Sequence, residues 1–453
     1  VRRVLVANRG EIAVRVIRAC RALGLETVAV YSEADRGSLP TKLADRALCI
    51  GPPRSADSYL RSDAMVMAAR GTGCDAIHPG YGFLAENPVF AEMCAKSGLI
   101  FVGPPPQVIR LMGDKIAARQ FAAKLGVPVI SGTEEALHSA EEAGAAAADV
   151  GYPVLLKAAA GGGGRGMRIV RAPGDLREAF ERARAEAQAA FDDGRLYVER
   201  FIERARHVEV QVLADDRGAC LHLGERDCSL QRRHQKLVEE APCPVLSDAL
   251  RRELLEAAVT LARESGYRSA GTIEFLVEPA RTRYYFLEMN TRIQVEHPVT
   301  EMVTGVDLVA EQFRIAAGSG LSFTQDQIRV RGHSIECRVN AEAPDHGFRP
   351  SPGQITTWTA PEGEGLRVDT HCFEGYVVPP FYDSLLAKAI AFGADREGAR
   401  TRLLNALGRF AVGGIETTIP FHQRVLVHLD FIESRIHTRW IEESFLSTEG
   451  GVS

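Results

Sequence analysis

Val154-Leu155-Leu156-Lys157-Ala158-Ala159-Ala160-Gly161-Gly162-Gly163-Gly164-Arg165-Gly166-Met167-Arg168-Ile169-Val170 is the stretch on which the fold turns. It reads as strand, glycine loop, strand. Residues 161–167 satisfy G-x-G-x-x-G, but a glycine run satisfies almost any such pattern, and a dinucleotide-binding turn would open a helix. Met167-Arg168-Ile169-Val170 is strand-like instead. Two strands joined by glycines form a flap over a nucleotide, as the glycine loop of a kinase does. Glycines such as Gly163, Gly164 and Gly166 let backbone N–H groups approach phosphate oxygens with no Cβ in the way. The run alone also reads as a flexible linker; Lys157, four residues earlier at a strand end, favours phosphate. No G-x-x-x-x-G-K-[ST] occurs, which excludes a Walker P-loop. Asp175 with Glu178 three residues on predicts a capping box that starts a helix.

Upstream, Val4-Leu5-Val6-Ala7 predicts a buried strand and Asn8-Arg9-Gly10 a loop. Ile12, Val16, Ala19, Cys20 and Leu23 then recur at helical spacing, with Gly24 as the stop. Thr27–Tyr31 is a second strand, and the β-α-β pattern repeats loosely to about Gly103. That predicts a parallel sheet with helices, Rossmann-like in architecture but without the glycines of an NAD site. The Ala- and Glu-rich run 134–148 reads as a surface helix. Downstream, a third region begins near Arg329, with a strand over Ile335–Val339 and Pro/Gly turns at 350–353 and 361–365.

A row of polar side chains lies between these regions. Thr272–Leu276 and Tyr284–Glu288 predict two strands joined by a turn near Pro279. In such a hairpin Glu274 and Glu288 face one side, and Asn290 follows at the period of a strand. Two carboxylates and an amide oxygen suit Mg²⁺, a hard cation normally shared with nucleotide phosphates. The same period runs on through Arg292, Gln294 and Glu296, so an extended segment presents a guanidinium, an amide and a third carboxylate. Arg292 can clamp a small planar anion bidentately, and Glu296 lies where it can take a proton from that anion. Arg338 is a charge within a strand-like run, read either as an outward edge residue or as part of the same chemistry. His207, Glu209, Gln231, His234 and Lys236 form a further polar concentration. Residues 225–240 read as a solvated loop or as a loop facing a nucleotide and an anion. Cys228 beside them is a plain buried cysteine or a reactive thiol.

Composition narrows the class. At about 150 residues per domain, 453 residues suggest about three domains. Lys plus Arg total 54 against 59 Asp plus Glu, a net charge of −5, which argues against a nucleic-acid partner. Apolar runs are short and broken by charge, so no bilayer span is expected, and Arg9 and Glu11 within the first apolar stretch argue against a signal peptide. Nine cysteines without C-x-x-C spacing fit scattered thiols in a reducing cytoplasm.

The motifs together carry a resemblance. Ala7-Asn8-Arg9-Gly10-Glu11-Ile12-Ala13, His78-Pro79-Gly80-Tyr81-Gly82, Met112-Gly113-Asp114-Lys115, the glycine loop and Glu288–Thr300 resemble biotin carboxylases, which are ATP-grasp enzymes. The similarity runs from residue 3 to about 440. It implies an α/β and α+β chain of three parts: a Rossmann-like N-terminal domain (1–112), an ATP-grasp domain (113–325) whose glycine-rich lid spans about 131–200, and a C-terminal mixed α/β domain (326–445). The resemblance implies ATP contacts at Lys115, Lys157, the glycines, His207, Gln231, His234, Lys236 and Leu276, with Glu199 and Ile202 near the adenine. It implies Mg²⁺ or Mn²⁺ at Glu274, Glu288 and Asn290. Bicarbonate falls to Arg292, Gln294 and Val295, with Glu296 as its base, and the biotin enolate to Arg338.

Implied partners are a carboxyltransferase subunit, together with a biotin carboxyl carrier protein or domain, since no Ala-Met-Lys-Met site is present. Another copy of the chain is implied as well, with Arg15, Arg18, Arg367 and Asp383 at the dimer interface. Glu364 and Ala22 replace that interface's usual aromatic and acid, and Leu39-Pro40-Thr41 and Ala44-Asp45-Arg46 depart from the usual pattern after Asp35. The alternatives are another ATP-grasp ligase joining a carboxylate to an amine, or a non-catalytic scaffold.

Overall fold

The computed structural model describes residues 1–160 and 166–446. Five parallel strands open the chain: β1 (Arg3–Val6), β2 (Glu26–Ser32), β3 (Arg46–Gly51), β4 (Ala76–His78) and β5 (Ile100–Phe101), in the order β3-β2-β1-β4-β5. Val4, Leu5 and Val6 are fully buried, as a strand covered on both faces requires. The helix Gly10–Ala22 follows and ends where Gly24 takes φ +70° while the Leu25 amide reaches back to the Cys20 carbonyl. This is the predicted Rossmann-like sheet.

The lid region is a small antiparallel sheet, β6 (Val154–Ala158) between β7 (Arg168–Val170) and β8 (Leu196–Arg200), backed by the helices Ala140–Val150 and Leu176–Phe191. The first helix starts six residues later than the Ala/Glu composition predicts, because the Ser139 hydroxyl accepts the Glu142 amide and fixes the start there. The predicted capping box fails too. Asp175 ends a 3₁₀ turn in helical conformation, so its side chain makes no cap hydrogen bond. The glycine positions 163 and 164 lie outside the described residues.

The centre of the molecule is an eight-stranded antiparallel sheet. It runs β13 (Tyr284–Asn290), β12 (Ser269–Val277), β9 (Arg206–Ala214), β10 (Cys220–Arg232), β11 (Gln235–Ala241), β14 (His333–Asn340), then the strands Leu385–Gly393 and Leu366–Thr370. Hydrogen bonding therefore passes without a break from β11 to β14, across residue 326. One core packs the helix Asp248–Glu264 on β9 and β12; another packs Arg396–Leu407 and Ile419–Val427 on β14 and its neighbours.

Three local expectations are corrected by this sheet. Residues 225–240 are not a loop but most of the hairpin β10–β11, turned at Arg233 and His234 with φ +48° and +65°. Glu225, Arg226, Asp227, Glu239 and Glu240 are buried in it. Arg338 is not on an edge, since β14 pairs with β11 on one side and Leu385–Gly393 on the other. The segment after Asn290 does not stay a strand: pairing stops there, and Glu296 (φ −81°, ψ 8°) leads into the helix His297–Thr304.

Candidate active site

A cavity of about 870 Å³ opens between the N-terminal domain, the lid and one face of the central sheet. It is lined by Lys115, Lys157, His207, Gln231, His234, Lys236, Glu274, Glu288, Asn290, Arg292, Gln294, Val295, Glu296 and Arg338, so most of the predicted site residues meet there. Glu199, Ile202, Leu276 and Gly166 do not border it. Glu199 lies on β8 with its carboxylate held by Arg119 (2.6 Å) and Lys157 (3.1 Å). Leu276 stands opposite His207 in the sheet. Gly166, at φ +68°, lies where a Cβ would come within 3.0 Å of the Ala158 Cβ and 3.3 Å of the Ala187 Cβ.

The hairpin β12–β13 sets the carboxylates. Glu274 and Glu288 are direct cross-strand partners, as are Thr272 and Asn290, so all four side chains share one face. Glu288 pairs with Lys115. Glu274 accepts from Lys236 (2.9 Å), Asn290 (2.7 Å) and Gln294 (2.8 Å) at Oε1, and its Oε2 lies 2.9 Å from His207 Nε2. Burial alone would raise the Glu274 pKa, but Lys236 and His207 outweigh it and hold the carboxyl well below the usual range. Glu274, Glu288 and the Asn290 amide oxygen are all hard donors, and this set fits Mg²⁺ or Mn²⁺. Donor atoms of His207, Glu209 and Glu274 also lie within 4.8 Å of one another, which puts Glu209 beside the same position.

Although β13 ends at Asn290, the alternation survives it. Ile293 is fully buried in the core while Arg292, Gln294 and Glu296 point into the cavity. The Val295 carbonyl accepts from Lys388 (3.0 Å), which anchors the irregular segment. Glu296 is clasped by Lys236 (2.7 Å) and Arg338 (3.0 Å). Burial acts to raise its pKa, yet Lys236, Arg338 and Arg226 hold it far below the carboxylate range, so it is ionised. Lys236 in turn faces Glu209 (2.5 Å), Glu274 and Glu296, and these three charges raise its pKa despite burial. The site is a lattice of opposite charges into which an anion can be exchanged for a carboxylate.

Three further residues shape this lattice with little or no signal in the sequence. Arg226 is fully buried and donates to Glu209, Gln211, Thr272, Gln294 and Thr300, thereby orienting Gln294 (2.9 Å). Glu86 accepts from Arg292 Nε (2.9 Å) and from the Thr291 amide. Glu239 binds Arg338 Nε at 2.6 Å. Only a charge inside an alternating strand run hinted at Arg226. Cys228 is fully buried, and desolvation pushes its thiol well above the ordinary range, as for a plain core cysteine.

Comparison with known proteins agrees with this geometry. The family described as "Biotin carboxylase, N-terminal domain" matches residues 1–109, "Carbamoyl-phosphate synthase L chain, ATP binding domain" matches 114–324, and "Biotin carboxylase C-terminal domain" matches 336–443. The chain is 53% identical over 441 residues to a biotin carboxylase of a Nostoc species, covering 97% of this chain and 98% of that one. It is 51% identical over 442 residues to biotin carboxylase 1 of Bacillus subtilis, covering 98% of each chain. Among solved structures, a Campylobacter jejuni biotin carboxylase complex with a β,γ-ATP ligand superposes with a TM-score of 0.95 at 46% identity, covering 97% and 98%. The biotin carboxylase domain dimer of Hydrogenobacter thermophilus 2-oxoglutarate carboxylase, with MgADP, ADP and bicarbonate, also gives 0.95, at 49% identity and 98% and 97% coverage.

Proposed function

The chain belongs to the biotin carboxylase family, and on that premise we propose how its residues divide the work. The enzyme is an ATP-hydrolysing ligase that carboxylates biotin with bicarbonate, the first half-reaction of a biotin-dependent carboxylase. The observation that carries the residue assignment is the clasp of Glu296 between Lys236 and Arg338 in a cavity that also holds the Glu274–Glu288 pair.

Lys115, Lys157, His207, Gln231, His234, Lys236 and Leu276 hold ATP, with Gly163, Gly164 and Gly166 closing over its phosphates and Glu199 and Ile202 toward the adenine. The ion pairs Lys115–Glu288 and Lys157–Glu199 support this, because phosphates would take over cations that carboxylates now neutralise. Glu274, Glu288 and Asn290 hold Mg²⁺ or Mn²⁺, which when bound neutralises charge on the phosphates. Arg292, steadied by Glu86, grips bicarbonate with Gln294 and the Val295 backbone. Glu296 accepts the bicarbonate proton as Lys236 turns from it toward phosphate, since a carboxylate released from one cation regains basicity. Attack of the deprotonated bicarbonate on the γ-phosphate then releases ADP and gives carboxyphosphate. Its breakdown yields CO₂ and a phosphate that takes the N1 proton of biotin, so that N1 can bond to the CO₂ carbon. Arg338 stays opposite Glu296 and faces the charge that develops on the ureido oxygen of biotin.

The functional units of this proposal are 1–112, 113–325 with the lid at about 131–200, and 326–445. Its partners are a biotin carrier protein or domain, a second copy of the chain and a carboxyltransferase subunit. The dimeric Hydrogenobacter domain supports the second copy. Arg15 and Arg367 both bind Glu301 beside a shallow cavity of about 340 Å³ that Arg18 also lines. No helix among the described residues is long and apolar enough to cross a membrane. The cysteine usage supports a reducing, cytoplasmic setting. ADP release measured with and without bicarbonate, and then with free biotin, tests the function. Dependence on bicarbonate is expected, whereas release driven by an amine and a carboxylic acid would make the chain a carboxylate–amine ligase.

A further inference from the structure

Glu239 and Glu336 are direct cross-strand partners on β11 and β14, on the face of the sheet that carries Arg338. Side chains so placed have Cβ atoms about 4.5–5.5 Å apart. Both residues are 0% exposed. Glu239 gives Oε1 to Arg338, while its Oε2 and both carboxyl oxygens of Glu336 are buried without a hydrogen-bond partner. Two ionised carboxylates facing each other away from water, with three unpartnered oxygens, form an arrangement that desolvation and like charge both oppose. One proton between them removes the like-charge contact and partners two of the three oxygens.

We propose that Glu336 is a protonated positioning residue, its carboxyl O–H donating to Glu239 Oε2, and that through Glu239 it sets the place of Arg338 for the biotin half-reaction. This deepens the role given to Arg338 above and rests on it. Burial raises the pKa of both carboxyls, Glu336 well above the ordinary range and Glu239 to about 7. Arg338 opposes this at Glu239, and Lys388 and Arg338 oppose it at Glu336, but only Glu239 has a guanidinium hydrogen bond, so the proton sits on Glu336. The other charged and titratable groups facing the pair do not supply the missing partner. Glu296 adds a like charge at the cavity side, where Lys236 is committed to three carboxylates. Lys388, on the neighbouring strand, is held by Glu11 (2.8 Å), the Val295 carbonyl and Asp369. Arg15 and Arg367 share Glu301. His297 is kept neutral by burial and by Lys388. The pair thus carries one negative charge, and Glu239 delivers it to Arg338 through a carboxylate fixed at both ends.

A neutral donor and a charge at residue 336 predict different substitution patterns. Glu336→Gln keeps a neutral donor, and Glu336→Met keeps neutrality but loses the donor. Biotin carboxylation should therefore stay within about twofold of wild type in Glu336→Gln. In Glu336→Met it should fall roughly ten- to a hundredfold, the scale of a misplaced catalytic group, while bicarbonate-dependent ADP release changes little. If the two variants behave alike, Glu336 is not a neutral donor and the proposal is overturned. Infrared spectra of the wild-type protein give a readout independent of activity and of variant folding. A protonated-carboxyl band at pH 7 that shifts on ¹³C labelling of glutamate is expected, and its absence overturns the proposal. If that band is present and Glu336→Met leaves carboxylation unchanged, the positioning role is wrong. If Arg338→Gln itself leaves carboxylation unchanged, the underlying reading of Arg338 fails instead.

Discussion

Glu296 touches two cations with different jobs, and substitution separates them. Glu296→Ala should abolish both bicarbonate-dependent ATP cleavage and carboxybiotin formation. Arg338→Gln should keep much of the ATP cleavage while carboxylation falls on the order of 10²–10³, the usual loss of a charge-stabilising donor. Parallel assays of ADP and carboxybiotin on the two variants check this. Arg226 has five buried partners, so Arg226→Met leaves Glu209 without its guanidinium and should cost about 3–5 kcal/mol in a urea titration. An unchanged midpoint would remove Arg226 from the architecture of the site. The residues legible in the sequence were those with a local rhythm: Glu288, Asn290, Arg292, Gln294 and Glu296 at alternate positions. Glu86 and Glu239 had none, because their partners Arg292 and Arg338 are brought to them only by the tertiary fold.

Hairpins do most of the positioning at the next scale. The pairing of Glu274 with Glu288 was readable from two strand-like runs and a turn, and it makes Glu288→Gln informative. Turnover should drop by about 10²-fold while the protein stays folded, since Glu288 lies at the cavity wall and not in a core. In the lid, Gly166 returns the chain into β7 at φ +68° against Ala158 and Ala187. Gly166→Ala combines a left-handed conformation costing about 1–2 kcal/mol with that contact, so the KM for ATP should rise. The hairpin β10–β11 was not legible, because its charge density resembles a solvated loop. Burial with built-in counter-charges explains why those residues sit in a sheet. Glu240 illustrates it: burial raises its pKa, but Arg396 and His333 outweigh that and hold it at about 2. The unfolded chain therefore binds this proton first, and stability is lost as pH falls from about 4.5 towards 2, by roughly 3 kcal/mol. Glu240→Gln should flatten that limb of an acid-unfolding curve.

At the scale of the whole molecule, the Rossmann-like sheet was legible because each of its early strands is an apolar run followed by a helical period. The continuity of the central sheet was not, because strand order depends on which distant segments pair. β14 joins β11 across about ninety intervening residues, and this carries Arg338 to within 3.0 Å of Glu296. The lid, the metal hairpin and the C-terminal strands thereby converge on one cavity, and the central claim is that this cavity couples ATP cleavage to carbon transfer from bicarbonate to biotin. The most direct measurement supplies ¹⁴C-bicarbonate, ATP, Mg²⁺ and biotin to the purified chain and follows ADP and labelled carboxybiotin together. The account predicts label in biotin only when ATP and bicarbonate are both present, with ADP release rising with bicarbonate. ADP release indifferent to bicarbonate, with no label in biotin, would contradict it.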